Sequence, residues 1–207
     1  MKRTRAVFLM AGAAVLLFSG LVRAGVAGFG VKAGLSTANI HGHDVYEQRS
    51  RMGFGAGAFL TFGLGSLLAV QPEVLFVTKG SKYVNGSGPD AYRETLSLDY
   101  IEVPVLIKFF LPVAGSFRFH LFAGPSLAFK LRARVKATFG GETEVETLDN
   151  VRNMDLGLAA GVGLEHPLGR GKLSLDVRYT AGMSSLTKGT GDDIKNGVLG
   201  LFAGYSF

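Results

Sequence analysis

From Gly28 to Phe207 apolar residues alternate with small or polar ones at a period of two, again and again, and that period admits strands and little else. The clearest run sets Phe117, Phe119, Leu121, Ala123, Leu127, Phe129 and Leu131 against Arg118, His120, Gly124, Ser126, Lys130 and Arg132. The last run sets Leu199, Leu201, Ala203, Tyr205 and Phe207 on one face and Val198, Gly200, Phe202, Gly204 and Ser206 on the other. Thirty glycines in 207 residues weigh further against helices.

Eight such runs follow one another: about Gly28 to Ile40, Gly53 to Leu64, Leu68 to Lys79, Thr95 to Phe110, Phe117 to Arg132, Met154 to Glu165, Lys172 to Ser184, and the terminal strand after Lys195. Their connections alternate in length. Polar stretches of His41 to Met52, Gly80 to Glu94, Ala133 to Asn153 and Ser185 to Lys195 read as long loops; Gly65 to Leu67, Leu111 to Ser116 and His166 to Gly171 read as short turns.

Alternation alone leaves open which face is inside, since a soluble barrel buries the apolar row and a membrane barrel exposes it to lipid. Three features favour the membrane. The polar rows are rich in Gly, Ala and Ser, which suits the narrow interior of about eight strands. The runs reach the roughly 9 to 11 residues that a tilted strand needs to cross a bilayer. Long and short connections segregate, as they do when one end faces the cell exterior and the other the periplasm. The expected fold class is therefore all-β: an eight-stranded antiparallel up-and-down transmembrane β-barrel, closed so that no backbone group faces lipid unpaired.

The N-terminal segment agrees with export. Lys2, Arg3 and Arg5 precede an apolar run from Ala6 to Val22 and the small-residue ending Val22, Arg23, Ala24, the three parts of a secretory signal peptide. Cleavage is expected after Ala24, giving a signal peptide over 1–24 and a barrel domain over 25–207. The formal charge of +6 loses Lys2, Arg3, Arg5 and Arg23 with that segment, and no acidic residue goes with them, so +2 remains. No basic stripe with interleaved aromatics points to nucleic acid. With no cysteine there is no lipidated N-terminus, disulfide or thiolate metal site.

Two levels of resemblance add to this reading. The final strand, closing on an aromatic, resembles the C-terminal strand of bacterial outer-membrane barrels, which implies that Tyr205 and Phe207 serve as the signal read by the assembly machinery. Gly30 to Asn39 (GVKAGLSTAN), Gln71 to Gly80 (QPEVLFVTKG), Asp99 to Lys108 (DYIEVPVLIK), Phe122 to Pro125 (FAGP) and the terminal GYSF resemble, in order, the PorT-type outer-membrane barrel domains often called the porin family, related in architecture to OmpX and OmpA. The resemblance implies an integral outer-membrane location in contact with lipid and gives no specific activity.

Pro72, Pro104 and Pro125 fall within strands and lack the amide donor, so a local bulge is expected at each. By parity the interior receives Lys32, Glu73, Glu102, Lys108, Arg118, His120, Lys130, Arg132, Asp155, Glu165, Asp176 and Arg178. Both signs are present, and buried charges need partners, so a structural ion-pair network closing the lumen is expected. No catalytic residue, cofactor or metal is assigned. His120 and Ser126 share a face but lie about 20 Å apart at strand rise, too far for a base and its nucleophile, so lipid-modifying catalysis is the weakest reading. His41 and His43, two apart and so on one face of a strand, could hold a transition metal at the rim with Asp44 and Glu47, but a pair of histidines is a weak signal and a polar loop is the preferred reading. The Gly189 to Asp193 run lacks the Asp/Asn spacing and terminal Glu of an EF-hand loop.

The sequence thus reads as a monomeric, non-enzymatic scaffold whose loops meet a surface ligand. Ala133 to Asn153 stands out, with Glu142, Glu144 and Glu146 expected to face Arg132, Arg134 and Lys136. A small transport or translocation-linked barrel is the alternative.

Overall fold

In the computed structural model the described residues are 26–41, 49–86, 92–139, 142–148, 152–183 and 195–207. The segment expected to be the signal peptide lies outside them. They form β1 (Val26–His41), β2 (Arg49–Gly63), β3 (Leu68–Asn85), β4 (Tyr92–Phe110), β5 (Arg118–Phe139), β6 (Glu142–Thr147), β7 (Met154–Leu168), β8 (Gly171–Gly182) and β9 (Lys195–Ser206). Each strand pairs antiparallel with its neighbours, and β1 returns to β9 from Gly30↔Ser206 to His41↔Lys195. β5 pairs with β4 along its length and with β7 over its first half. The ring is therefore a closed barrel of eight strands, with β6 lying outside it against the upper half of β5.

The apolar rows face outward. Phe29, Val31, Leu35, Leu121, Leu131, Leu158, Val177 and Leu201 are among the large hydrophobic residues left exposed, while Lys32, Glu73, Lys108, His120, Asp176 and Arg178 are buried. In water this arrangement would be inverted; in hydrocarbon it is the stable one. At about 3.3 Å per residue and a tilt of about 40°, Phe119 to Leu131 rises roughly 30 Å, the thickness of a bilayer core. Hairpins close the lower end tightly. The Leu168↔Gly171 pair leaves only Gly169 and Arg170 to turn, and Gly169 takes φ of 63°, a left-handed conformation that glycine adopts without strain.

Three expectations are corrected. First, the prolines do not shift the register. The β3–β4 ladder skips the positions around Glu73 and Pro104 and resumes unchanged from Pro72↔Val105 to Leu75↔Glu102; β4–β5 likewise holds from Pro104↔Ser126 to Ile107↔Ala123. A missing amide interrupts one ladder locally, because a residue's donor points to only one of its two neighbouring strands. Second, much of the expected loops at Gly80 to Glu94 and Ala133 to Asn153 is strand. β3, β4 and β5 run past the lipid-facing band and, with β6, raise a four-stranded sheet above it.

Third, the alternation of β5 is broken. Tyr100 pairs with Lys130 but Asp99 pairs with Arg132, so Leu131 is an extra residue, a bulge that exchanges the two faces of the strand beyond it. The consequence is that Ala133 points inward and is 2 % exposed, while Arg132, Arg134 and Lys136 are exposed on the outer face.

Candidate functional site

Inward-pointing side chains of four strands meet at the centre of the lumen. Lys32 from β1 donates to Glu73 Oε1 of β3 at 2.8 Å and to Asp176 Oδ2 of β8 at 3.0 Å. Gln71 donates to the same Glu73 oxygen at 2.6 Å, and Arg178 donates to Oε2 at 2.8 Å. His120 Nε2 of β5 stands 3.0 Å from Asp176 Oδ1. Glu73 thus holds two cations, Lys32 from β1 and Arg178 from β8 on the wall opposite its own, and Asp176 ties Lys32 and His120 to β8.

Two smaller groups flank this centre. Above it, Lys79 Nζ lies 2.8 Å from Glu102 Oε2, and Ser126 donates to Oε1 at 2.9 Å. Below it, Lys108 donates to Glu165 at 3.1 Å. Aromatic faces line the cations. Phe59 lies 5.2 Å from the Lys32 ammonium, Tyr100 lies 5.3 Å from that of Lys79, and Phe122 and Phe202 flank the Arg178 guanidinium at 5.5 and 5.2 Å. Such contacts stabilise a desolvated cation by up to about 2 kcal/mol.

Small residues make room for these groups. A Cβ at Gly163 would collide with Asp176 Oδ1 and with the His120 ring, so only hydrogen fits opposite that pair. Above the central ions and around the Lys79–Glu102 pair, Leu75, Val77, Leu98, Tyr100, Ala128 and Ala133 form an apolar cluster, with Leu96 and Leu148 packed on it. Ala133 takes part because the Leu131 bulge turns it inward. Three cavities of about 20, 90 and 10 Å³ lie among the described lumen residues; the largest is at the short-turn end, beside Lys108, Arg118 and Lys172.

Of the twelve residues placed inside from sequence, Lys32, Glu73, Glu102, Lys108, His120, Asp155, Glu165, Asp176 and Arg178 are buried, and Arg118 and Lys130 are half-buried. Arg118 packs on the Phe110 ring at 4.1 Å. Arg132 does not belong to the lumen: the bulge turns it to the outer face. Lys79, Gln71 and the ring cations' aromatic partners belong to the site but were not assigned to it; Lys79 has the same parity as Glu73 and was legible by that rule. His120 and Ser126 engage different carboxylates, Asp176 and Glu102. The residues His43, Asp44 and Glu47, and the Gly189 to Asp193 run, lie outside the described residues, as does the side chain of His41. Among the described residues no group of three or more metal-binding side chains converges.

Tyr205 and Phe207 sit at the short-turn end. Phe207 stacks on Phe29 at 5.0 Å and meets the Tyr205 ring edge-on at 5.1 Å, while its amide donates to the Phe29 carbonyl at 2.8 Å.

With the closed sheet, outward apolar band and charged interior established, the comparison with family models is decisive: residues 23–188 match the outer membrane protein beta-barrel domain. The chain belongs to that family. It is an outer-membrane barrel. None of the curated proteins compared matches it. Among solved structures it is similar to Ail, the attachment invasion locus protein of Yersinia pestis, at 16% identity over 87% of this chain and 99% of that one, with a TM-score of 0.46. It is also similar to Neisserial surface protein A at 17% identity over 88% and 99% of the two chains, with a TM-score of 0.48. The outer membrane protein OprG from Pseudomonas aeruginosa gives 13% identity over 89% and 98%, with a TM-score of 0.49.

Removing one partner from a buried ion network leaves the others uncompensated, at a cost of roughly 3–5 kcal/mol. Glu73→Ala strands both Lys32 and Arg178, so urea unfolding of the protein in lipid vesicles is expected to show a loss of about that size. A change below about 1 kcal/mol would mean that the network is solvated rather than buried.

Proposed function

We propose that this outer-membrane protein is a non-catalytic, monomeric scaffold whose closed barrel anchors a raised sheet that meets ligands at the cell surface. The observation that carries this reading is the extension of β3, β4 and β5 beyond the lipid-facing band, where β6 adds a fourth strand with all six of its residues exposed. Ordered strand pairing that far above the membrane needs a reason, and rigid presentation of a surface is one. The ion network and the apolar cluster around its upper pair support a plugged lumen. In the same reading residues 1–24 are a signal peptide cleaved after Ala24, the barrel domain spans 25–207, and Tyr205 and Phe207 are read by the assembly machinery. The PorT-type resemblance is the narrower version of the family placement. A transport or translocation-linked role is the competing one, and it requires a conducting or opening lumen.

The absence of cysteine makes a clean orientation test. A Val145→Cys protein, labelled on intact cells with a membrane-impermeant maleimide, is expected to react, and Gly169→Cys only after the envelope is opened. The reverse pattern would place the raised sheet in the periplasm. In planar bilayers the purified protein is expected to give no reproducible single-channel current. Steady openings abolished by lumen substitutions would overturn the plugged scaffold in favour of transport. Deleting Phe207 is expected to lower the fraction of envelope protein whose electrophoretic mobility shifts on boiling; an unchanged fraction would remove it from the assembly signal.

A further inference from the structure

Past Leu131 the outer face of the raised sheet changes character. Below lie Phe129 and Leu131, both exposed and apolar; above lie Arg132, Arg134 and Lys136, exposed on the same side. Cross-strand pairing extends this face. Lys82 of β3, Thr95 of β4, Lys136 of β5 and Val145 of β6 form one row, and Gly80, Ser97, Arg134 and Thr147 form the next. Paired antiparallel residues share a face, so Lys82 joins the three β5 cations while Ser97, Thr95 and Thr147 place hydroxyls between them. Asp99, opposite Arg132, is the carboxylate on this patch among the described residues.

We propose that this patch binds the phosphate groups of anionic lipid in the outer leaflet. Position decides the ligand. At about 3.3 Å per residue and a tilt of about 40°, Arg132 and Arg134 stand roughly 3 to 8 Å above Leu131, within the headgroup layer that flanks the hydrocarbon core. Lys136 stands about 13 Å above it, where phosphates on a bulky headgroup are still in reach. Guanidinium groups match phosphate oxygens in a two-point geometry, and their apolar stems lie against the acyl boundary. The opposite face has the opposite sign. Glu144 pairs with Ala137, Glu146 with Val135 and Glu142 with Phe139, so these glutamates, with Glu94, lie on the other face of the sheet and do not face Arg132, Arg134 and Lys136, which corrects the expected pairing. One face of the sheet is drawn to an anionic membrane surface, and the other is repelled from it.

The bulge is the device that produces this. Unbroken alternation would turn Arg132, Arg134 and Lys136 inward over the apolar cluster, where they would be desolvated beside Lys79. One inserted residue sends them to lipid phosphate instead.

The proposal rests on the raised sheet lying at the membrane's outer side, but its test does not, because symmetric bilayers present the same lipid at both ends. The chain has no tryptophan, so Val145→Trp supplies a single reporter beside Lys136. The full protein is reconstituted in phosphatidylcholine vesicles containing a minor fraction of bis-phosphorylated glycolipid, with bromine quenchers on one lipid or the other. Quenching by the glycolipid is expected to exceed its bulk fraction by about tenfold, and to fall toward it at high salt. Substituting Arg132, Arg134 and Lys136 by Gln in the reporter protein is expected to abolish the excess, and Glu144→Gln to leave it. Arg134→Glu, a single exposed change, gives the same readout should the triple variant lose its boiling-dependent mobility.

Equal quenching by both lipids, or an excess that survives the Gln variant, would overturn the proposal. So would complete competition by inorganic phosphate at the glycolipid's concentration, which would mark a site for free anions. Failure here with Val145→Cys still labelled from outside removes the lipid site alone and leaves the scaffold standing.

Discussion

Backbone pairing across the seam between β1 and β9 is the interaction on which the rest depends. A strand inside hydrocarbon cannot leave amides and carbonyls unpaired, because no water is present to satisfy them, so a sheet is viable there only when its two edges meet. The seam runs without a register shift from Gly30↔Ser206 to His41↔Lys195. Once it closes, the period-two pattern has a direct consequence wherever it is unbroken: one parity faces lipid and the other is confined to a space about as wide as side chains can fill.

That confinement explains the chemistry of the interior. Charges buried in a narrow lumen need partners, and the centre answers with one carboxylate serving Lys32, Arg178 and Gln71 together. Aromatic faces take the remaining sides of the cations, and glycines such as Gly163 concede volume where the wall would otherwise collide with the network. The same residues that look like a polar channel in one dimension therefore pack as a core in three. Polarity by itself does not make a pore; continuous volume does, which is why the proposed plugged scaffold and a transport role differ in whether current passes the lumen.

Much of this was legible from alternation, because parity is a local property that sequence carries directly. The eight staves, their outward apolar rows and most of the lumen charges follow from counting by two. Lys79 was equally legible, since it ends the run from Leu68 on the same parity as Gln71 and Glu73. What could not be read was anything set by pairing between distant segments. Pro72, Pro104 and Pro125 look like bulges in a single strand, and only the neighbouring ladders reveal that the register survives them. The polar composition of Ala133 to Asn153 resembles a loop because its charges face solvent on both sides, although its backbone pairs as strand.

The Leu131 bulge is the sharpest case, since no residue around it departs from the expected pattern: Phe129, Leu131 and the intervening Lys130 alternate as before. The fault appears only in the step from Tyr100↔Lys130 to Asp99↔Arg132. Two requirements meet at this position. The lumen has an apolar cluster around its upper ion pair, which Ala133 helps to complete, and three cations at alternate positions, Arg132, Arg134 and Lys136, need an exit from the interior. A regular strand would satisfy neither, because residues 132 to 136 would keep the cations inside and Ala133 outside. One extra residue satisfies both at once, so the bulge marks the height at which the protein stops being governed by hydrocarbon and begins to be governed by the charged surface above it.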